Sequence, residues 1–539
     1  MTVYPVIDVR AVSQRVRSGE YTLRDVSLTV GRGELVSIIG GSGTGKTTLL
    51  NTMCGLQLPA EGEVHRDHGT HGYVPQDDII HLTLPLRRTL SYTAALRQAD
   101  GVDDALRVLE LAGRAHVPVG SLSGGERKRA SIAAELLTRP GVFFLDEPTS
   151  GLDPARAAEL MRTLRRLAEA GTAVVLTTHN PLDVRHCDKV AVLTGGYLAF
   201  YGPPEQACGY FGTATIGEVY ERLAADRTAE EWAQKFSSSR TADAISPQLP
   251  APGSMAAPRA TIGWLRQCAL LTKRNAEMLA RSKLTLAILL GSPVMVLAMF
   301  VVLFRPHAFD PVHPSPEATV MIAFWVAFGG FFFGLTYGLL QICTEFAVVR
   351  RERFTGMRAG PYVLAKAAVL LPLLAAVDAA FLVVLRVLGR LPSAGDYGAM
   401  FVTLVLSSAA ALGLGLLISA AVAEPAQATI AMPMVCFPQV LFVGAILPVP
   451  VMAAVGRWIS YAMSNRWAFE GLGHSLGVDR LWAAGGSPLG PPLLASYGNT
   501  FAHPASLDWL ILAGFAVAFL AATGLVVARR TPSAPQARG

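Results

Sequence analysis

Eight residues constrain the fold of this 539-residue chain more than any others. Gly40, Gly41, Ser42, Gly43, Thr44, Gly45, Lys46 and Thr47 read G-x-x-x-x-G-K-T. The glycines let successive backbone N–H groups turn toward phosphate oxygens. Lys46 is long enough to reach the β- and γ-phosphates, and the Thr47 hydroxyl can ligate Mg²⁺. The apolar stretch Glu34-Leu35-Val36-Ser37-Ile38-Ile39 is a strand that runs into the loop, and Thr48 opens the following helix. The loop therefore sits at a helix N-terminus, where the dipole favours anions. Taken alone, it predicts an α/β domain that binds some nucleoside triphosphate.

Four later elements narrow the chemistry. Val142-Phe143-Phe144-Leu145 is a buried-type strand that ends in Asp146-Glu147. Asp146 is placed to hold Mg²⁺ together with Thr47, and Glu147 to orient and deprotonate the attacking water. Tyr73-Val74-Pro75-Gln76 offers Gln76 as a contact to Mg²⁺ or water. Ser123, Gly124, Gly125 and Glu126 open a helix with Ser123 as N-cap, an end suited to a γ-phosphate. Val174-Val175-Leu176-Thr177-Thr178 is a strand ending at His179, which is placed to contact the γ-phosphate as a switch. A lone Gln after Pro, or a lone His after a strand, means little. In this order and spacing the set excludes a merely structural reading.

Two other patterns carry less. His65, His68 and His71 space as H-x-x-H-x-x-H within an expected hairpin, but no Cys or carboxylate cluster completes a metal site. Arg127-Lys128-Arg129 on the helix after Ser123 is expected to serve an interface or solvent.

In wording and order, residues 1 to about 212 resemble the ATP-binding cassette (ABC) ATPases. The resemblance implies that Ser123, Gly124 and Gly125 act in trans, closing on ATP held by the phosphate loop of a partner. It also implies that Asp153 is a contact across that interface. One loop and one signature per chain then imply a second copy of this chain or a homologous half transporter. Leu122 to Arg129, Glu135 to Pro140 and Tyr197 to Gly212 resemble more narrowly the G subfamily, the White-type half transporters, in which the ATPase precedes the membrane domain. The aromatic residue on which most of these ATPases stack adenine is missing near Arg15-Val16, and Tyr21 lies too close to the following strand, as is common in that subfamily.

Composition divides the chain. The values of 51% hydrophobic and 16% charged residues average two unlike halves. Residues 1–225 are expected to form the nucleotide-binding domain, 226–260 a helical extension and flexible linker, and 261–283 an amphipathic basic helix along the membrane surface. Six apolar runs of about 20 residues, the length that crosses a bilayer, fall at 284–304, 318–342, 363–388, 400–422, 428–447 and 509–528, within a membrane domain of 284–530. Proline interrupts the first and the fifth. No cleavable leader is expected from the mixed, polar start, and the six scattered cysteines give no disulfide pattern.

Arg350, Arg351, Arg353, Arg358 and Lys366 between the second and third runs, with Arg529 and Arg530 at the end, belong on the cytoplasmic side. The tail 531–539 and the ATPase then lie there too. Glu345, Arg350, Arg351 and Glu352 lie in a segment that resembles the family's coupling element. Asp378 is an acid deep inside a run, which makes it a candidate functional residue or one hydrogen-bonded to a neighbouring helix. The net charge of +6 gathers beside apolar runs, so the partner is membrane lipid and not nucleic acid.

The expected protein has an α/β P-loop ABC ATPase domain followed by an all-α six-helix transmembrane domain, with ATP and Mg²⁺ as cofactors. It would be a dimeric exporter of a hydrophobic or amphipathic substrate, lipids included, in a bacterial plasma membrane. The alternative is a membrane-anchored ABC ATPase that transmits a conformational signal to a cell-envelope partner.

Overall fold

The computed structural model describes residues 5–16, 19–67, 70–239, 262–484 and 486–531. The expected linker from 240 onward, His68 and all but the first residue of the expected tail lie outside the described residues. The chain forms two compact units, Met1–Ile262 and Gly263–Gly539.

The first unit holds two sheets. β1 (Pro5–Arg15), β2 (Tyr21–Gly31) and β4 (Glu61–Arg66) form an antiparallel sheet in the order β2-β1-β4. The larger sheet contains β3 (Leu35–Gly40), β5 (His71–Val74), β6 (Val142–Leu145), β7 (Ala173–Thr177), β8 (Lys189–Thr194) and β9 (Tyr197–Gly202), in the order β5-β6-β7-β3-β8-β9. All its pairs are parallel except β8–β9. Its central strands β3, β6 and β7 are buried on both faces, which explains why they read as largely apolar runs. Alternate residues serve two cores: Val36, Ile38, Phe144 and Val175 face one, while Leu35, Phe143, Leu145 and Leu176 face the other.

The hairpin expected between His65 and Tyr73 does not form. β4 pairs with β1 and β5 with β6, so the two strands belong to different sheets. His65 lies 3.0 Å from Glu63 and the His71 ring packs against Phe144, and no cluster of metal-ligating side chains occurs among the described residues.

The second unit is helical. Among the described residues, five of its helices are long and apolar enough to cross a membrane. They include Lys283–Leu303, Pro316–Leu339, Ala359–Val387, Tyr397–Ala421 and Ala505–Arg530, which contain five of the six expected runs or most of each. The fifth expected run, 428–447, is not one helix. It is helical only within Pro425–Leu441, 17 residues, and then breaks into bends around Gly444, whose φ is 100°, ahead of Pro448. Pro433 and Pro438 each remove a backbone donor inside it, so little ladder is left to carry the helix further. Ala359–Val387 also contains a proline, Pro372. In the segment after Pro448, the helix Ser464–Ser475 packs among Pro316–Leu339, Tyr397–Ala421 and Ala505–Arg530.

The helices Pro316–Leu339 and Tyr397–Ala421 approach through small residues. A Cβ on Gly334 would sit 2.1 Å from the Ser408 carbonyl oxygen, and one on Gly415 would sit 2.6 Å from that of Leu335. Such contact is the usual source of adhesion where lipid removes the hydrophobic drive. Asp378, fully buried, reaches into the same seam. Its Oδ2 lies 2.9 Å from the Ser408 hydroxyl, which is also 3.0 Å from the Gly330 carbonyl, so the acid is hydrogen-bonded to a neighbouring helix.

The amphipathic helix Trp264–Arg281 packs along Ala359–Val387. Arg274, buried, makes a bidentate pair with Glu352 at 2.5 and 3.0 Å, and Gln267 accepts from the Arg358 N–H at 2.9 Å. Glu345 accepts from Tyr362 at 2.6 Å and from Lys366 at 2.7 Å. Two of the four coupling candidates, Glu345 and Glu352, are thus engaged within this unit, while Arg350 is exposed. Arg353 donates to the Thr531 carbonyl at 3.1 Å, which puts the basic segment and the end of the last helix at the same end of the unit.

Gly334→Val should destabilise the second unit by roughly 3 kcal/mol or more, because the helices must part to admit the side chain. Gly514→Val, on the last helix with open space around it, should leave thermal unfolding nearly unchanged. Melting of both variants in detergent checks the contrast.

Candidate active site

The carboxyl ends of β3, β6 and β7 meet at one edge of the large sheet, and the loops that leave them build the site. The phosphate loop needs glycine at two positions for space as well as turn. A Cβ on Gly40 would lie 2.4 Å from the Leu193 carbonyl, and one on Gly45, whose φ is 97°, 2.5 Å from that of Thr22. Thr44 donates to the Gly41 carbonyl at 3.0 Å. Gly45 caps the helix Lys46–Cys54, which carries Thr47 and Thr48 in its first turn. Lys46 donates to the Gly40 and Gly41 carbonyls at 2.9 and 2.8 Å. Burial lowers its ammonium below the ordinary value, opposed by the nearby Glu147 and Asp146 carboxylates.

Thr47 donates to Asp146 Oδ1 at 3.2 Å, so two of the three expected Mg²⁺ ligands, Gln76 being the third, are neighbours although 99 residues apart. Thr177 ties the carboxylate pair down: its hydroxyl donates to Asp146 Oδ1 at 2.6 Å and accepts from the Glu147 N–H at 2.9 Å. Glu147 has φ 44°, a left-handed backbone that costs a residue with a side chain about 1 kcal/mol or more and persists only where neighbours enforce it. Its Oε2 accepts from Gln76 Nε2 at 3.2 Å and lies 3.4 Å from His179 Nδ1. Gln76 and His179, from two other loops, therefore converge on the Glu147 carboxylate.

A cavity of about 440 Å³ opens here, lined by Gly40, Gly41, Ser42, Lys46, Glu147 and His179. Pro181 and Tyr220 complete its wall. Tyr220 comes from the helix Ile216–Ala225, and burial pushes its phenol up to about 12. Ser123, Gly124, Gly125 and Glu126 do not line this cavity. Ser123 and Glu126 form a reciprocal capping box on the helix Gly124–Leu136, and Ser123 and Gly124 are exposed. The Ser123 backbone N–H, then Arg114, hold the Glu126 carboxyl below its usual range. Asp153 caps the helix Pro154–Glu169, accepting from the Arg156 N–H at 3.0 Å. Tyr21 is engaged with Arg15 and Glu61, and the Arg15 guanidinium lies 4.2 Å from its ring centroid.

The basic run differs from expectation. Lys128 is buried, 4% exposed, and donates to the carbonyls of Pro75 and Gln76 at 3.0 and 2.7 Å. Arg129 faces Glu159 at 3.5 Å. Lys128 therefore fastens the signature helix to the loop that carries Gln76, and burial lowers its ammonium below the usual value, opposed by Asp78. The sequence held a signal for this. Gly125, Lys128, Ile132 and Glu135 repeat at helical spacing and share the buried face, where Arg97 and Glu135 pair at 2.8 Å.

Both units have known relatives. The profile of the ABC transporter family matches residues 23–150, and that of the ABC-2 type transporters matches 266–476. An ABC transporter ATP-binding/permease protein of Mycobacterium tuberculosis is 29% identical over 538 residues, 94% of this chain and 61% of its own length. ABC transporter G family member 7 of Arabidopsis thaliana is 29% identical over 528 residues, 85% of this chain and 71% of its own. ATP-binding cassette sub-family G member 5 of Mus musculus is 40% identical over 216 residues, 35% of this chain and 33% of its own. The chain thus spans less than two thirds of the mycobacterial relative's length.

Fold, converging loops and both matches define the class: the first unit is an ATP-binding ABC ATPase domain and the second an ABC-2 type membrane domain. The ATPase domain precedes the membrane domain, the order that the resemblance to the G-type half transporters implies, and the relatives above include two G family members.

Lys128→Met would remove the donor to two part-buried carbonyls, a loss of about 1 kcal/mol. The variant should melt earlier and hydrolyse ATP more slowly while nucleotide affinity changes little, as thermal unfolding, turnover and nucleotide titration would read.

Proposed function

We propose that the chain is one half of an ATP-driven exporter that works as a dimer, with a second copy of itself as the simplest partner. Its cargo would be hydrophobic or amphipathic molecules, lipids included, moved across the plasma membrane of a bacterium. The observation that carries this reading is the convergence of Gln76 and His179 on Glu147, beside Lys46, in a chain that also holds five membrane-length helices.

Each residue has a chemical task in this reading. Backbone N–H groups of 40–48 and the Lys46 ammonium bind the phosphates. Glu147 accepts the proton of the attacking water, Gln76 orients that carboxylate, and His179 contacts the terminal phosphate. Thr47 and Asp146 suit Mg²⁺: both offer hard oxygen atoms, close together, and this ion takes one or two protein ligands with phosphate and water completing its shell. Bound there, Mg²⁺ neutralises developing phosphate charge. The exposed Ser123 and Gly124 support a role in trans, on ATP held by the partner, with Asp153 near the same interface. The shared end of Arg353 and Thr531 supports a topology in which the ATPase domain, the basic segment and the C-terminal end are cytoplasmic.

The test is ATP hydrolysis by purified protein in liposomes, with Glu147→Gln as control and native lipid fractions added. Glu147→Gln should lower turnover by about 10²-fold or more while binding of ATP persists. Stimulation by one lipid class would support export and define the cargo class. Hydrolysis indifferent to every lipid and amphiphile would overturn the exporter reading in favour of force or signal transmission.

A further inference from the structure

Asp183, four residues beyond His179 on the short helix Pro181–Val184, is 2% exposed and does not line the cavity. Its Oδ2 accepts two hydroxyl donors, Thr149 at 2.6 Å and Thr178 at 2.6 Å. Its Oδ1 accepts from Asn180 Nδ2 at 3.2 Å. The Asn180 N–H in turn donates to the Thr178 hydroxyl at 3.0 Å, and Asn180 Oδ1 caps the Leu182 N–H at 3.1 Å.

These three partners are neutral, so no cation among them repays the cost of burying a carboxylate. What the carboxylate supplies is acceptor capacity: two oxygens that take three donors and carry no hydrogen of their own. The partners matter because of where they stand. Thr149 lies two residues after Glu147, and Thr178 directly precedes His179. The adjacent Thr177 faces the other way and bonds Asp146 and the Glu147 N–H. The ends of β6 and β7 are therefore latched twice, once through Thr177 and once through Asp183.

The geometry points to Asp183 as a positioning residue for ATP hydrolysis, one that holds the His179 loop against the loop 148–153 and so sets the 3.4 Å approach of His179 to Glu147. The inference rests on the catalytic roles given to Glu147 and His179. Thr149 and Thr178 do not act independently in this arrangement: each reports to the other through one oxygen atom. An amide in place of the carboxylate would turn a donor toward either the threonine hydroxyls, which would have to reverse to accept it, or Asn180 Nδ2, with which it forms no bond.

The experiment measures steady-state ATP hydrolysis and nucleotide binding by the full chain in liposomes. The variants are Asp183→Asn, Thr149→Val, Thr178→Val, the double variant Thr149→Val/Thr178→Val, and each threonine variant in the Asp183→Asn background. Asp183→Asn should lower kcat by about 10- to 100-fold, the scale of a misplaced catalytic group, with KM for ATP within about twofold, since the phosphate loop is untouched. Each threonine variant should lower kcat alone and add little once Asp183 is changed, the mark of a shared network. A kcat for Asp183→Asn within twofold of wild type, or threonine effects that multiply unchanged in its background, would overturn the inference. Should Asp183→Asn fail to fold, the Thr149→Val/Thr178→Val cycle decides alone: coupled effects support the hub and independent ones refute it. If Glu147→Gln hydrolyses ATP as fast as wild type, the catalytic assignment fails and not the latch.

Discussion

Parallel strands end on the same side of a sheet, and that constraint organises the whole ATPase unit. β3, β6 and β7 are neighbours in the large sheet, so the phosphate loop, the Asp146-Glu147 pair and the His179 loop leave from one edge although they are spread over some 140 residues of chain. The loops approach as bare backbone with polar groups to satisfy. Hydroxyls do this work: Thr47 and Thr177 on Asp146, Thr149 and Thr178 on Asp183. Against this framework Glu147 can be held in a left-handed backbone that an isolated turn would relax.

The second unit is organised by a different constraint, closeness. Where Gly334 and Gly415 bring two helices together, backbone touches backbone, and Ser408 and Asp378 place hydrogen bonds across the same contact. The helix Trp264–Arg281 joins this body through a buried ion pair. Removing one partner of such a pair strands a charge in a dry site, so the helix is fixed along its length and does not merely rest on a surface.

The two halves were unequally legible. Motif residues could be placed from sequence because their tasks demand fixed residue types at fixed distances from a strand end. That is why the phosphate loop, Asp146-Glu147 and the Ser123 cap stand where expected. What escaped were contacts between residues far apart in the chain. Lys128 read as a surface cation in a basic run because its acceptors, two backbone carbonyls some fifty residues away, leave no mark in composition. Asp183 and Tyr220 belong to no motif. The expected 428–447 run failed for another reason: hydropathy records how apolar a stretch is, and neither Gly444 nor the prolines that unmake its helix lower that average enough to show. The supposed hairpin at 65–73 failed because strand neighbours in sequence were assigned to one sheet when the fold sends them to two.

Tyr220 gives the cavity a wall that comes from beyond the sheet, on a helix that leads in sequence toward the membrane unit. Linkage makes that arrangement reciprocal. Whatever factor the wall adds to nucleotide affinity, a bound nucleotide adds to the population in which that helix is docked. A nucleotide in that cavity would therefore add order to the chain segment that carries Tyr220.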